Sequence, residues 1–295
     1  TKESGYVEWE VDVKAPGLYH IRLEYLATGG RSSSIIRSIK IDGELPFEEA
    51  RSVEFNRIWV DKRDAQGNTI QEAPNGNQIR PEQEEIRQWQ SAYIRDSVGY
   101  YPDPFRFYFS QGRHTIRLEA VREPMEIKTI TLCQMEQPPA YEEAKKQFKT
   151  DSVPQVEPIK LQGEHADLKS DPMLVPIYDR SNASMEPSDP MKLKLNCIGS
   201  TQWQMNGQTI SWKFRVAENG LYNIHFRGVQ NAKNGSASSR RIYINGKVPY
   251  QELNDYAVPY STQWKMYTLG DGTQSFAFYF EKDTEYEIKF EVTLG

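Results

Sequence analysis

Aromatic side chains are the residues of this chain whose type and position best suit ligand recognition. Trp59 and Trp264 each follow a similar turn, and Trp89, Tyr100 and Tyr101 lie in or beside a long polar segment. A flat ring can pack against the apolar face of a sugar while polar neighbours bond its hydroxyls. All five are therefore candidate ligand-binding residues. Trp59 and Trp264 fit equally well as core aromatics under a loop.

Two arginines add a possible polar component to such a site. Arg37 and Arg240 are separated by 203 positions, and each precedes a strand that ends in a tight turn. The fork of donors on a guanidinium can bind a carboxylate or a pair of hydroxyls. An internal salt bridge explains both arginines equally well, so both alternatives stay open.

Catalytic signatures are absent from the sequence. It contains no Gly-x-Ser-x-Gly elbow, no His-Glu-x-x-His, no phosphate loop and no Gly-x-Gly-x-x-Gly. The carboxylates that match between the two halves, Glu49 with Glu252 and Glu119 with Glu291, are expected at the surface. We predict that the chain is not an enzyme. A glycosidase would need two carboxyls within ~5–10 Å of each other in one cleft.

Composition narrows the class of protein further. The 295 residues carry a formal charge of −5 and no long basic run, which argues against nucleic-acid binding. No stretch approaches the length of a membrane-spanning helix, and no signal-peptide pattern opens the chain, so we expect a signal to be absent or removed. Cys133 and Cys197 are expected to be buried thiols rather than a disulfide or a metal site.

A long internal repeat organises the chain. Residues 5–50 and 208–253 align without a gap at an offset of 203, so that Trp9 matches Trp212 and Arg37 matches Arg240. A period this long exceeds any solenoid repeat, so each copy is predicted to be a complete domain.

Within each copy the hydrophobic period is two, which indicates antiparallel strands with one buried face. The segment around Trp9 and the strand from Leu18 to Tyr25 are predicted to form a hairpin across Ala15-Pro16-Gly17, and copy two should do the same. Asp42-Gly43 and Asn245-Gly246 are predicted tight turns. Many short strands and almost no helical pattern predict an all-β chain of two tandem antiparallel β-sandwiches.

The domain boundaries follow from the repeat and from the segments that it leaves unmatched. We predict a first module over 1–137, with an insertion at about 61–103 and its first strand missing. A short amphipathic helix beginning near Tyr141 and a linker fill 138–157, and a second module covers 158–295. The missing strand suggests a piece of a longer protein, or a strand supplied from elsewhere.

At this point the chain resembles a known class of module. The Trp strand, Gly-Leu-Tyr, the Ile-x-Ile-(Asp/Asn)-Gly strand and the Phe-Tyr-Phe ending are similar to those of galactose-binding-like jelly rolls, the carbohydrate-binding modules related to families six and thirty-five. The Gly163-Glu164-His165-Ala166 start resembles the first strand of such modules, where a glutamate helps to hold a structural calcium. The tandem pair with its Pro-Pro-Ala-Tyr-Glu-Glu-Ala segment is similar to a region of long solute-binding lipoproteins of sugar ABC transporters in Gram-positive bacteria.

The resemblance implies a non-catalytic, extracellular or cell-surface protein that captures an oligosaccharide or polysaccharide. It implies no cofactor, apart from a structural calcium with Glu164 as a ligand. The alternative function is structural: the modules would pack on other domains of a longer parent protein through their exposed aromatics. No nucleic acid and no membrane span are expected in either case.

Overall fold

The computed structural model describes residues Gly5–Leu294 and confirms an all-β chain. Its strands are β1 (Tyr6–Val13), β2 (Gly17–Ala27), β3 (Ile35–Ile41), β4 (Val53–Phe55), β5 (Ile58–Asp61), β6 (Gln71–Glu72), β7 (Gln78–Ile79), β8 (Gln83–Ile86), β9 (Gln90–Tyr93), β10 (Phe107–Phe109), β11 (Gly112–Arg122), β12 (Met125–Cys133), β13 (Leu168–Lys169), β14 (Pro176–Ile177), β15 (Cys197–Ile198), β16 (Thr209–Phe214), β17 (Gly220–Asn223), β18 (His225–Gly228), β19 (Ser238–Ile244), β20 (Tyr256–Val258), β21 (Lys265–Thr268), β22 (Ala277–Phe280) and β23 (Tyr286–Thr293).

Helix is sparse in the part of the chain that the structure describes. It consists of α1 (Tyr141–Lys145) and short 3₁₀ turns at Glu48–Arg51, Gly163–His165, Ser200–Gln202 and Gln251–Leu253. Among these residues no helix has the length and apolarity needed to cross a bilayer.

The chain divides into two compact units. Unit 1 consists of residues 1–59 and 85–136, and unit 2 of residues 60–84 and 137–295. The first four residues of the predicted 1–137 module, and Gly295, lie outside the described residues. The segment predicted as one insertion, 61–103, is therefore divided: its first part groups with unit 2 and the remainder with unit 1.

Unit 1 consists of two antiparallel sheets around one core. The first sheet has the strand order β1-β11-β3-β4, and in the second β10 and β12 flank β2, which also pairs with β9. Alternating residues of both sheets, among them Ile21, Leu23, Ile39 and Ile116, are fully buried in a single apolar cluster. This is the arrangement expected where each strand turns one face inward.

Unit 2 is built around a longer sheet. This sheet has the order β20-β19-β23-β16-β13-β5-β8, and the pairs β14-β15, β17-β22, β18-β21 and β6-β7 lie outside it. Its core is aromatic, and Tyr141 of α1 is buried there, 4.5 Å from the ring of Phe276 and 5.0 Å from that of Tyr250. Helix α1, predicted within a linker at 138–157, therefore belongs to unit 2 and is shorter than its sequence pattern suggests.

The strand registers of the two units follow the sequence repeat. Trp9 of β1 pairs with Ile116 of β11, and Trp212 of β16 pairs with Ile288 of β23. The turns match as well. Asp42 and Asn245 have φ values of 52° and 49°. The Oδ1 of each accepts a backbone N–H of the neighbouring strand in the sheet, from Thr115 of β11 and from Glu287 of β23. Short polar residues tolerate this left-handed conformation, which explains their place in the turn.

The predicted hairpin between the first two strands of each copy is wrong. β1 pairs with β11, whereas β2 pairs with β10, β12 and β9 in the other sheet. The Ala15-Pro16-Gly17 segment therefore carries the chain from one sheet to the other. A proline-glycine turn marks a reversal but does not select the partner strand, which is set by long-range packing.

The edge next to the shared tryptophan strand differs between the units. Among the described residues, β1 ends its sheet, whereas the equivalent β16 has β13 on its other side, with Leu168 opposite Ser211. In unit 2 this edge is extended further by β5. The sheet of unit 2 is thus continued by a segment that comes from the first half of the sequence.

A buried ion-pair cluster fixes the loop after β2 in unit 1. The guanidinium of Arg57 donates to Glu123 Oε2 at 2.8 Å and to Glu85 Oε1 at 2.5 Å, and all three side chains are largely buried. Glu123 in turn accepts the backbone N–H of Arg31. Gly30 lies against this cluster with φ of 146°, and a Cβ there would lie 1.9 Å from Glu123 Oε2.

We expect Gly30→Ala to destabilise the protein by about 3 kcal/mol or more, because the new methyl group adds backbone strain and displaces a buried carboxylate from its arginine. Gly43→Ala is the matched control. Gly43 also has a positive φ, 83°, but open space around its Cβ position, so only about 1–2 kcal/mol of strain is expected. Chemical denaturation of both variants measures the difference, and equal losses would show that the Glu123 contact has no effect on stability.

Candidate functional site

The candidate site is a polar pocket of about 410 Å³ in unit 2. Three stretches of chain form it: the segment between β5 and β8, the 3₁₀ turn Gly163–His165 with Gln162 before it, and the loop between β14 and β15. The lining residues are Arg63, Gly67, Asn68, Thr69, Ile70, Gln78, Gln162, Glu164, His165, Pro187 and Leu195. Its volume falls within the range of small-molecule sites.

One wall of the pocket is a tight turn stabilised by Asp64. The carboxylate Oδ1 of Asp64 accepts the backbone N–H groups of Gln66 and Asn68 at 2.9 and 2.8 Å. These bonds hold the pKa of Asp64 below its ordinary value. Gly67 supplies the positive φ, 88°, and its carbonyl accepts a bond from Arg63 Nη1 at 2.8 Å. The turn thus presents Arg63 and Asn68 on a rigid support.

The hairpin β6–β7 is attached to the segment that forms another part of the pocket. Gln78 Oε1 accepts the N–H of Leu195 at 2.6 Å, and Asn77 Oδ1 accepts the N–H of Leu193 at 2.8 Å. Lys194 forms an ion pair with Glu72 beside them. These bonds fix the position of Gln78, which lines the pocket.

Polar groups of three kinds converge on this pocket. Arg63 contributes a guanidinium, Asn68, Gln78 and Gln162 contribute amides, and Thr69 contributes a hydroxyl. Such groups donate and accept hydrogen bonds in several directions. The lining contains no Trp, Tyr or Phe ring and one imidazole, that of His165, so a ligand would be held here mainly by hydrogen bonds rather than by stacking.

Glu164 is the buried acid of the pocket. Its side chain is 1% exposed, and its Oε2 atom has no hydrogen-bond partner. Burial raises its pKa to about 7, against a smaller opposing effect of its own backbone N–H and of Lys160. The carboxyl therefore changes charge near neutral pH, where an exposed glutamate would be fully ionised.

None of the predicted aromatic residues lines the pocket. Trp89, Tyr100 and Tyr101 are exposed in unit 1, by 45%, 81% and 56%. Trp89 precedes β9, whereas the two tyrosines follow it beyond Ile94, so roughly 17 Å of extended chain separates Trp89 from their loop. The Lys128 ammonium lies 5.9 Å from the centre of the Trp89 ring and forms an ion pair with Glu24.

The tryptophans after the matched turns have structural environments. Trp59 is only 8% exposed, so it packs inside the protein, as one of the two interpretations of the sequence proposed. Trp264 is partly buried in unit 2, and its indole N–H donates to Asp179 Oδ2 at 3.1 Å. Neither residue lines the pocket.

The side chain of Arg37, a candidate ligand-binding residue, is completely buried. Its Nη1 donates to the carbonyls of Ile36 and Arg122 at 2.7 and 3.0 Å. Arg240 makes the equivalent bond to the preceding carbonyl, Ser239, also at 2.7 Å, and stacks on Trp203 at 4.3 Å. Burial lowers the pKa of each arginine to about 10. The repeat therefore preserves a structural arginine.

The aspartates near the start of the second module have hydrogen-bond donors of the protein as partners. Asp167 accepts the N–H of Lys213, and both carboxylate oxygens of Asp171 accept bonds, from Met173 and Gln208. Within residues 5–294 no three His, Cys, Asp or Glu side chains gather as metal ligands. Glu164 alone fits such a role, because its bare buried oxygen is what a cation would satisfy.

Sequence reasoning missed most of the pocket residues, among them Arg63, Asn68, Gln78 and Gln162. The available signals were the density of Asn and Gln in the insertion and the Asp-x-x-Gly-Asn turn from Asp64 to Asn68. No signal in the sequence indicated that residues 60–84 group with the second half of the chain.

No protein-family model and no curated protein matches the chain. A solved structure that it resembles is a Paenibacillus cycloisomaltooligosaccharide glucanotransferase complexed with cycloisomaltoheptaose. The identity is 11% and the TM-score 0.23, over 97% of this chain and 40% of that one.

We expect stability to depend on pH through Glu164. Its pKa is higher in the folded chain, about 7, than the ordinary 4.5, so the folded state holds the proton more tightly. Stability should therefore fall as pH rises from about 4.5 to 7 and then level off, with a total loss of about 3 kcal/mol. Glu164→Gln should remove this loss in unfolding measured across pH, whereas Glu157→Gln, at an exposed position, should not. A wild-type curve that coincides with that of Glu164→Gln would contradict the assignment.

Proposed function

We propose that this chain is a non-catalytic carbohydrate-binding protein and that the pocket of unit 2 is its binding site. The observation that supports the proposal is the lining of the pocket, where guanidinium, amide and hydroxyl groups converge in a space of ligand size. A polyhydroxylated ligand offers alternating donors and acceptors that match these groups. We further propose galactose-binding-like β-sandwich modules and an extracellular sugar-capture setting, as the sequence resemblance implies.

The rigidity of the lining favours binding over catalysis. The turn that carries Arg63 is fixed by Asp64, and Gln78 is fixed by the backbone of Leu195. Groups held in place before binding lose little freedom when a ligand arrives. Glu164 is the one carboxyl in the pocket lining. A glycosidase needs two such groups on either side of the bond that it cleaves.

A second candidate function, protein interaction, rests on one loop of unit 1. Val98, Tyr100 and Tyr101 are exposed by 58%, 81% and 56%, and Asp96 fixes their loop by accepting the N–H groups of Val98 and Tyr101. A shaped loop with exposed apolar side chains is typical of protein-contact surfaces.

Affinity electrophoresis and titration calorimetry against neutral and acidic oligosaccharides test the first proposal. We expect the wild type to bind. Arg63→Ala should weaken binding by about tenfold or more, because a charged hydrogen bond to the ligand is lost. Trp89→Ala, in unit 1, is the control and should bind normally.

Three results would decide between the proposals. Binding that is lost in Trp89→Ala and kept in Arg63→Ala would show that the binding site includes Trp89 rather than the pocket. Absence of binding to every oligosaccharide would overturn carbohydrate recognition. Association with a protein partner that is abolished by Tyr100→Ala would then favour the second candidate.

Calcium binding, which the resemblance implies, is proposed with Glu164 as its carboxylate ligand. At pH 8, where this carboxyl is ionised, we expect millimolar calcium to raise the melting temperature of the wild type but not that of Glu164→Gln. Magnesium is the control for non-specific ionic strength. A wild-type melting temperature that calcium leaves unchanged would rule out a cation at this position.

A further inference from the structure

Lys169 of β13 and Asp61 of β5 form a completely buried contact in unit 2. Their side chains are 0% and 2% exposed, and Lys169 Nζ donates to Asp61 Oδ1. The two residues are 108 positions apart in the sequence. Burying both charges carries a large desolvation penalty, which an ion pair recovers only when all its polar atoms are satisfied.

The hydrogen bonds around Asp61 are unequal. Its Oδ1 accepts a second bond, from Gln83 Nε2 at 2.6 Å, whereas its Oδ2 is buried without a partner. One carboxylate oxygen is therefore held by two donors and the other is bare. An unpartnered oxygen in the interior is costly and is rare in native proteins.

Burial favours the neutral amine form of Lys169. Burial lowers the pKa of Lys169, although the charge of Asp61 and the hydrogen bond to it oppose this effect. Transfer of one proton within the pair gives a neutral amine facing a carboxylic acid. An unprotonated lysine is a nucleophile, and desolvation is one way in which proteins activate it.

We propose that Lys169 and Asp61 condense into an intramolecular amide, an isopeptide cross-link. The lone pair of Nζ attacks Cγ of the protonated Asp61 carboxyl, and an N–C bond forms. The C–O bond to Oδ2 then breaks, and this oxygen leaves as water with two protons that both come from Nζ, one transferred before the attack and one after it. The reaction requires no oxidant, reductant or co-substrate.

The surrounding groups favour this step. Two reactants held in contact by a folded interior react as if at very high concentration. The amide of Gln83 donates to Oδ1, the oxygen on which negative charge develops during the attack and which becomes the amide carbonyl. The product replaces two buried charges with a neutral amide and removes the bare Oδ2 atom. Each change relieves a cost identified in the folded structure.

The cross-link would have a mechanical consequence for unit 2. It would join the segment 60–84, which carries one wall of the pocket, covalently to β13. The chain between positions 61 and 169 would become a closed loop. Closing a long loop restricts the unfolded chain and so raises the melting temperature.

Intact-mass spectrometry of the purified, fully denatured protein tests the proposal. We expect the wild-type mass to be one water molecule below the sequence mass. Lys169→Arg and Asp61→Ala should both keep the full sequence mass. Tandem mass spectrometry of a tryptic digest should find one branched peptide that joins the segments around Asp61 and Lys169.

Two controls separate the cross-link from other losses of water. An Asp-Gly succinimide, as at Asp271-Gly272, has the same mass change but yields no branched peptide. Lys194→Arg changes an ion-paired lysine of the same unit and should leave the loss of water intact. A wild-type protein at its full sequence mass would overturn the proposal, as would a loss of water that persists in Lys169→Arg. Because no sugar is involved, either result leaves the carbohydrate proposal untouched.

Discussion

The contact between Asp61 and Lys169 is the constraint on which the architecture of unit 2 depends. It lies between the incoming segment 60–84 and the strand β13, and neither side chain reaches solvent. Removal of one partner would leave a buried charge, which typically costs about 3–5 kcal/mol. The pair contributes less to net stability than this cost suggests, because both ions lose their hydration. Its main effect is specificity: Asp61 Oδ1 finds its two donors only where Lys169 and Gln83 meet, which fixes the start of the segment that forms the pocket wall.

The duplication explains why so many matched residues are structural. Tyr19 and Tyr222 each donate to the carbonyl four residues before them, at 2.7 and 2.8 Å. The two matched arginines, likewise, each donate to the preceding carbonyl. Bonds between a side chain and a nearby backbone carbonyl stabilise the local backbone conformation, and both copies require the same conformation. A residue that is matched between copies therefore reflects a constraint shared by the fold, whereas a ligand is bound by one pocket with one particular shape.

The sequence predicted what depends on local pattern. Period-two alternation identified the strands, and the Asp42-Gly43 turn and its partner have the positive φ that their residue types suggest. It failed where distant segments meet. The turn at Pro16 did not reveal that β1 and β2 lie in different sheets. The segment 60–84 is charged and has the composition of an exposed loop. Only the buried contact of its Asp61 with Lys169 shows that it joins the sheet of unit 2.

The two matched arginines both have structural contacts. Arg37 is completely buried, and Arg240 is partly buried and stacks on Trp203. Glu164 was chosen for its place at the start of the second module, where the first copy has no counterpart among the described residues. It lies in the pocket with a bare oxygen and a raised pKa. A buried carboxyl that the fold leaves unsatisfied carries a cost that folding alone does not explain. The unmatched segments, from Arg63 to Gln78 and from Gln162 to His165, are therefore where binding chemistry in this chain should be sought.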